Sequence, residues 1–563
     1  MNPKKLADDL LVTSQITLSD IDDAAAARVR SIINNRPDGE EPDQLPSAAL
    51  EARAREHGIA YHHIPIAGGN FDDASVHAFA KAQQAATGET LAFCRTGTRS
   101  TTLWALSQAG KRPAEALIGA ARDAGYDLEA LRPRLEAEAE SVGDDNRSAF
   151  GADRYDVVVV GGGAGGIATA ASLLKRDAGL RIAIIEPRDE HYYQPGWTMV
   201  GAGVFDRQST CHTMASVMPK GVTWVKDAVA TFQPDQDSVT TAQGKTLRYR
   251  ALVVAPGITL DWDGIDGLSQ TLGKNGVTSN YGYDTAPYTW QLVQQLREGV
   301  ALFTQPPMPI KCAGAPQKAM YLSCNAWEDR GVLPNIDVAF HNAGAVLFGV
   351  KDYVPALMTY VERYGIDLNF ESTLVAVDGE AKRATFKEKS GEITRSFDML
   401  HVTPPQKAPK FIADSPVADK AGYVEVDQAT MQHVRYPNIF GLGDGGSTPN
   451  AKTAAAARKQ APIVAVNLLS VLKGGEPVAG YDGYGSCPLT VEKGKIVLAE
   501  FGYGGKLLPS FPNWLIDGTQ PQRLSWLLKS VALPWIYWNG MLKGHEWMVT
   551  PEPLPAPALK KAA

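Results

Sequence analysis

Several apolar runs along the chain are short, continuous and bounded by glycine or polar turns. In YDVVVV and VALFTQ the apolar residues do not alternate with polar ones, as expected of parallel strands buried on both faces. From Tyr155 to about Gly505 the order is strand, glycine turn, helix, repeated with hairpin insertions. Before it, HHIPIAG and TLAFC read as buried strands and Asp73 to Ala86 as a helix. From Pro113 the chain is rich in Ala, Glu and Arg, then turns polar at SVGDDNRSAFGADR, predicting a helix and an exposed linker. Residues 522 to 548 are apolar and aromatic, and the tail PEPLPAPALKKAA should be extended.

Composition narrows the class. The chain has 563 residues, enough for about three or four domains. Hydrophobic residues make up 44% and charged residues 21%, which excludes whole-chain disorder, collagen and coiled coil. Lys and Arg number 55 against 62 Asp and Glu, so the basic excess expected of a nucleic-acid binder is missing. Five cysteines in such a length make no disulfide framework and suit a reducing compartment. MNPKKLADDLLVTSQ has no signal-peptide core, and no apolar run reaches the ~18 residues of a spanning helix.

The most informative segment is YDVVVVGGGAGGIATAASLLKR. Gly161, Gly163 and Gly166 give G-x-G-x-x-G directly after a strand and opening a helix. The first glycine allows the tight turn, the second admits a pyrophosphate against the backbone, and the third lets helix and strand pack closely. Free amides at the helix N-terminus hold the phosphates. RIAIIE ends in Glu186, about 20 residues after Gly166, where a carboxylate accepts from ribose hydroxyls. The strand VALFTQ, by contrast, leads into PPMPIKCAGAPQK, which has no phosphate loop and whose prolines remove backbone donors. That second lobe should not bind NAD(P)H, so electrons must enter from another donor. The expected fold class is α/β, with two Rossmann-like lobes.

YPNIFGLGDGG, carrying Asp444, and LVVAPGI, ending near Gly257, resemble the later motifs of flavoproteins with two dinucleotide-binding folds. HYYQPGWTMVGAG, PIKCAGAPQKAMYLS, HVTPPQ, SPVADKAGYVEVD, TPNAKTAAA and YDGYGSCPL follow in order. Together they resemble the mitochondrial-type sulfide:quinone oxidoreductases over about Tyr155 to Gly544. The resemblance implies FAD, a redox pair at Cys312 and Cys487, and FAD contacts at Ala164, Gly165, Glu186, Gln194, Val229, Asp444 and Lys452. It implies hydrogen sulfide as donor, a ubiquinone-type quinone as acceptor, and a small sulfur acceptor such as glutathione or sulfite. Hydrosulfide would open a Cys312–Cys487 bridge by thiol–disulfide exchange, leaving one persulfide and one thiolate. Sequence leaves the two roles unassigned, with some leaning to Cys487 as the flavin-facing donor. Lys311 and Lys318 near Cys312 favour thiolate. Gly445 and Gly446, and TPNAKT in place of a Ser-Lys pair, depart from the pattern. Cys211 and Cys324 have no family counterpart and are expected to be structural. Pro404 and Pro405 match the quinone-side segment, and no residue is assigned to a metal.

RLSWLLKSVALPWIYWNGMLKGHEWM holds Trp526, Trp535, Trp538 and Trp547, with Arg523, Lys529 and Lys543 placed to meet anionic headgroups. Pro534 is expected to break it into two short helices that anchor a peripheral protein, on the cytoplasmic side of an inner membrane. A core or dimer-interface role is the alternative, and an oligomer is compatible with the sequence. In the N-terminal region Cys94 follows a strand and Arg99 completes C-x4-R, the rhodanese spacing, one short of the tyrosine-phosphatase C-x5-R. CRTGTRS resembles the phosphatase-like, beta-lactamase-hydrolase-associated sulfurtransferases, implying sulfur transfer at Cys94 with Arg99 in the anion cradle. Asp72 and Asp73 read as a phosphatase general acid or as helix caps. The expected division is 1–115 sulfurtransferase-like, 116–154 helix and linker, 155–290 flavin lobe, 291–400 second lobe, 401–510 return of the flavin lobe with Cys487, 511–548 membrane-proximal helices and 549–563 tail. Competing readings are an NADH:quinone oxidoreductase, a non-turnover flavin redox sensor, and a tyrosine-phosphatase-like N-terminal hydrolase.

Overall fold

The computed structural model describes residues 1–136 and 153–554, apart from positions 8, 70, 87, 110, 111 and 113. Most of the expected linker and most of the tail lie outside the described residues. The chain divides into two compact units, Met1–Ala152 and Asp153–Ala563.

In the first unit, β1 (Lys4–Ala7), β2 (Leu10–Thr13), β3 (Ser31–Asn34), β4 (Ala60–His63) and β5 (Thr90–Phe93) form one sheet in the order β1-β2-β5-β3-β4. Only the β1–β2 pair is antiparallel. Every residue of β5 is buried, since the strand lies centrally with apolar cores on both faces. It delivers Cys94 to the carboxyl edge of the sheet, where Gly97, at φ 93°, turns the chain into α1 (Thr98–Gln108). Leu117, Ile118, Leu128 and Leu135 complete the same core, so this unit extends past the expected boundary at 115.

The second unit opens with β6 (Arg154–Val160), α2 (Ala164–Arg176) and β7 (Ile182–Ile185), followed by β8 (Val222–Val225), β9 (Val229–Gln233), β10 (Ser238–Thr241) and β11 (Thr246–Val254). They form a sheet ordered β8-β7-β6-β11-β10-β9. The second sheet comprises β12 (Val277–Thr278), β13 (Gly299–Gln305), β14 (Ile336–Asn342), β15 (Asp367–Phe370) and β16 (Met399–His401), all parallel in the order β12-β16-β13-β14-β15. It already starts at Val277, before the expected 291, because the chain crosses over ahead of the helix Ala286–Gln295. After β13 the chain runs into α3 (Ala315–Asp329). β17 (Ile439–Gly441) then returns to pair with β11 of the first sheet. α4 (Ala454–Leu472) packs beside α2. The hairpin of β18 (Gly485–Glu492) and β19 (Lys495–Phe501) shares a core with α3.

The C-terminal segment departs from the expected break at Pro534. α5 (Arg523–Leu527) continues through a π-helical turn, Leu528–Ala532, into α6 (Leu533–Asn539). Pro534 sits in the first turn of α6, where the wider preceding turn relieves the clash of its ring with the upstream carbonyl. No helix among the described residues is long and apolar enough to cross a membrane.

Candidate functional site

One cavity of about 320 Å³ runs along the second unit from the glycine turn after β6 to Cys312. At Gly161, φ is 101° and an added Cβ would lie 2.5 Å from the Ala255 carbonyl oxygen. At Gly166 a Cβ would lie 2.0 Å from the Gly161 carbonyl oxygen, so helix and turn pack as the motif requires. Gly163, the residue before α2, has nothing within 4 Å of that position, which leaves room for a pyrophosphate against the helix amides. Glu186 takes the Gly162 N–H at 2.9 Å and the Arg188 N–H at 3.0 Å. Gly163, Ala164, Gly165, Gln194, Gly257, Asp444 and Lys452 line the cavity, while Gly161, Gly166 and Glu186 shape the turn behind them. Val229 is placed elsewhere: it begins β9 and is buried in the core between β6, β7 and β11, off the cavity wall. Pro404 and Pro405 are also off that wall. The glycine cradle, the acid beside it, half-buried Asp444 and buried Lys452 fit a flavin dinucleotide.

Lys452 is buried, and its ammonium donates to the Asp444 and Gly446 carbonyls at 2.7 and 2.9 Å and lies over the Tyr423 ring. Burial lowers its pKa and raises that of Asp444, whose charge Lys452 and Lys311 then favour. Lys311, which donates to Gln194 at 2.6 Å, is pushed down to about 8 by burial.

The structure brings Cys312 and Cys487 together, with 3.9 Å between their sulfurs. Cys312 follows the prolines after β13 and adopts φ 54°, a left-handed conformation uncommon outside glycine. Its N–H donates to the Lys452 carbonyl at 2.8 Å, which holds this conformation. Cys487 is buried on β18. The hydrogen bond from Cys487 holds the Cys312 pKa well below the usual thiol range, and the Lys318 ammonium, 3.0 Å from Cys312 Sγ, adds to it. The same hydrogen bond and burial push Cys487 up. Of the two sulfurs, Cys312 is the one that touches an ammonium, so negative charge is favoured there over Cys487.

Two features escaped the sequence reading. Lys529, expected at lipid headgroups, is only 5% exposed and lines the cavity from the π-helical turn. Burial first, and then repulsion by Lys318, push its pKa down to about 7. A lone lysine inside an apolar run was its only signal. His191, pushed down to about 4 by burial, is neutral: Nδ1–H donates to the Gly162 carbonyl at 3.0 Å and Nε2 accepts from the Tyr537 hydroxyl at 2.6 Å. This ties α6 to the glycine turn. The remaining cysteines follow expectation in part. Cys324 is wholly buried with a pKa pushed far up by burial, an inert core thiol. Cys211 is half-buried at the start of the short strand Cys211–Thr213.

In the first unit Cys94 is buried and its sulfur accepts the Gly97 N–H at 3.1 Å, within the turn opening α1. Arg99 donates to the Ile66 carbonyl at 2.8 Å and to Glu40 at 2.9 Å. Arg95 pairs with Glu41 at 3.1 Å, and buried Arg36 joins Glu40 and Glu41 from behind. Asp72 caps the helix Asp73–Gln84 by accepting the Ser75 N–H at 2.8 Å, the cap role of its two readings.

On the outside of the C-terminal segment, Leu524, Leu527, Val531 and Trp535 form one exposed apolar stripe, with Met548 at 64% and Trp514 at 84% exposure. Tyr537, Met541 and Leu542 face inward and belong to the core around α2 and α4.

Comparison with known proteins follows this division. The beta-lactamase hydrolase-like protein, phosphatase-like domain family matches residues 3–111, and the pyridine nucleotide-disulphide oxidoreductase family matches 155–287. The mitochondrial sulfide:quinone oxidoreductase of Mus musculus is 41% identical over 396 residues, covering 70% of this chain and 87% of that protein. A beta-lactamase hydrolase-like protein of Xylella fastidiosa is 35% identical over 132 residues, 23% of this chain and 31% of that protein. The crystal structure of the sulfide:quinone oxidoreductase from Aquifex aeolicus superposes with a TM-score of 0.59 at 20% identity, covering 72% of this chain and 98% of that one. That level of identity establishes the shared fold.

Proposed function

The chain belongs to the sulfide:quinone oxidoreductase family, and on that premise we propose that Cys312 and Cys487 are its redox pair, with FAD as the flavin, a membrane quinone as acceptor and sulfane sulfur as product. The observation that carries this reading is the cysteine pair, 3.9 Å apart, in the same cavity as the dinucleotide cradle. A direct S–S bond of ~2.05 Å needs the two sulfurs to approach by about 2 Å, and a bridge through one inserted, bent sulfur needs a smaller approach. Lys318 and Lys529 make the cavity cationic and attract hydrosulfide. In the bridged state hydrosulfide attacks Cys487, because exchange expels the sulfur with the lower pKa faster, and that is Cys312. The S–S bond breaks, Cys487 gains a persulfide S–S bond, and Cys312 leaves as a thiolate held by Lys318. This assigns Cys312, rather than Cys487, as the electron-donating sulfur. A small thiol or sulfite then attacks the outer sulfur and carries it off. FAD, when bound, supplies the two-electron acceptor that lets the bridge re-form.

The exposed stripe of α5 and α6 supports peripheral attachment to a lipid surface, where a long-tailed quinone resides. In the first unit, the carboxylates paired to Arg95 and Arg99 oppose a phosphate dianion and suit a persulfide at Cys94. We assign that unit to sulfur transfer rather than phosphate hydrolysis. The deciding experiment is an anaerobic flavin spectrum of the full chain. Sulfide should bleach it, quinone should restore it and NADH should leave it unchanged; bleaching by NADH with indifference to sulfide would replace this reading with the NADH:quinone alternative.

A further inference from the structure

Part of the cavity wall takes no part in the sulfur chemistry. Leu498, Phe511, Ile536 and Met548 make it apolar, and Met548 is 64% exposed, so this wall reaches the molecular surface. Set into it is one polar cluster. Glu500, on β19, is 5% exposed, and its carboxylate accepts from the Tyr484 hydroxyl at 2.5 Å, the Ser510 hydroxyl at 2.5 Å and the Ser510 N–H at 3.0 Å. Tyr484 and Ser510 also face the cavity, and their hydroxyls lie 3.1 Å apart.

Resting on the reading that a membrane quinone is the acceptor, we propose that the quinone docks against this apolar wall, that Tyr484 is its proton donor and that Glu500, with Ser510, recharges Tyr484 from solvent. A quinone takes two electrons and two protons to become a quinol, and sulfide oxidation supplies the electrons. Protonation of Glu500 reverses its 2.5 Å hydrogen bond to Tyr484, so the phenolic O–H turns to the cavity. The phenol's O–H bond breaks as the quinol O–H bond forms, and the phenol takes the proton of Glu500. The carboxylate left behind is reprotonated from water, and the cycle runs twice for each quinol. The charged and titratable groups around the pair include Arg458 of α4; Tyr353, whose hydroxyl contacts the Glu500 backbone; Tyr481, whose hydroxyl donates to the Tyr484 carbonyl; Asp482, which accepts the Tyr484 N–H at 3.1 Å; and Lys459, paired with Asp482, whose ammonium lies 5.0 Å from the Tyr484 ring centre.

The test uses the full flavin-loaded chain at saturating sulfide. Glu500→Gln and Tyr484→Phe are each expected to lower kcat for quinone reduction about a hundredfold above neutral pH, the usual worth of a positioned general acid. The loss should shrink in acid, where hydronium replaces the relay, and Glu500→Asp should restore part of the rate. Quinone binding, read by tryptophan quenching in the unreduced protein, and bleaching by sulfide should persist. Unchanged kcat and pH profile in both variants would overturn the relay, and if Glu500→Gln does not fold, Tyr484→Phe alone decides. Wild-type protein that bleaches with sulfide but passes nothing to quinone would instead overturn the acceptor assignment beneath it.

Discussion

Cys312 shows how neighbours a few ångströms away set the chemistry of one atom. Lys318 Nζ and the Cys487 thiol stabilise its negative charge, so its thiolate exists well below the ordinary thiol range and is lost only as pH falls through that lowered value. Lys318→Met removes the charge and raises the Cys312 pKa. Alkylation of Cys312 in the reduced protein at neutral pH should slow about tenfold, equivalent to ~1.4 kcal/mol, with the difference vanishing in alkali. Mass spectrometry of the Cys312 peptide reads this directly; equal rates for both proteins would remove Lys318 from the mechanism. Cys312→Ser and Cys487→Ser should each retain the flavin, which the glycine cradle holds, and lose its bleaching by sulfide. Normal sulfide turnover in either single variant would rule out the two-cysteine route. The cysteines were legible in the sequence because of the motifs around them. Their unequal acidity was not, since it depends on a sulfur and an ammonium brought together from α3 and β18.

At the level of the element, the segment from Arg523 to Asn539 serves two environments at once. Its inner side carries Lys529 into the cavity and Tyr537 onto His191, while its outer side carries Leu524, Leu527, Val531 and Trp535 into solvent. The sequence revealed an amphipathic aromatic stretch but placed Lys529 at lipid headgroups with its other cations, although at helical spacing Lys529 falls on the face opposite Leu527 and Val531. Deleting residues 523–563 would therefore strip the site as well as any anchor. Val531→Glu with Trp535→Glu is the cleaner test, as both side chains are more than half exposed. Binding to anionic vesicles should fall by several kcal/mol, since burying each such side chain is worth ~1.5–3 kcal/mol. Turnover with a short-tailed quinone should hold while that with a long-tailed quinone drops. Undiminished vesicle flotation would place the anchor elsewhere.

The whole molecule joins an oxidoreductase unit to an N-terminal unit with its own sheet, its own cores and Cys94 at its strand–helix turn. If that unit draws off sulfane sulfur, Cys94→Ser in the full chain should abolish transfer between thiosulfate and a thiol while sulfide-dependent quinone reduction continues. Phosphotyrosine hydrolysis without sulfur transfer would reverse the assignment. By itself the sequence determined the α/β class, the dinucleotide turn, the missing phosphate loop after β13, the two-unit order and the family, because these rest on local periodicity and on glycine or proline at fixed spacing. Tertiary structure alone decided that the Lys318 ammonium lies on the Cys312 sulfur, that Lys529 faces the cavity, that Val229 is core, and that Glu500, Tyr484 and Ser510 meet. The reason is physical: a pKa, a cavity wall and a hydrogen bond depend on distance and burial, and residues as far apart in the chain as Cys312, Cys487 and Lys529 acquire a distance only when the chain has folded.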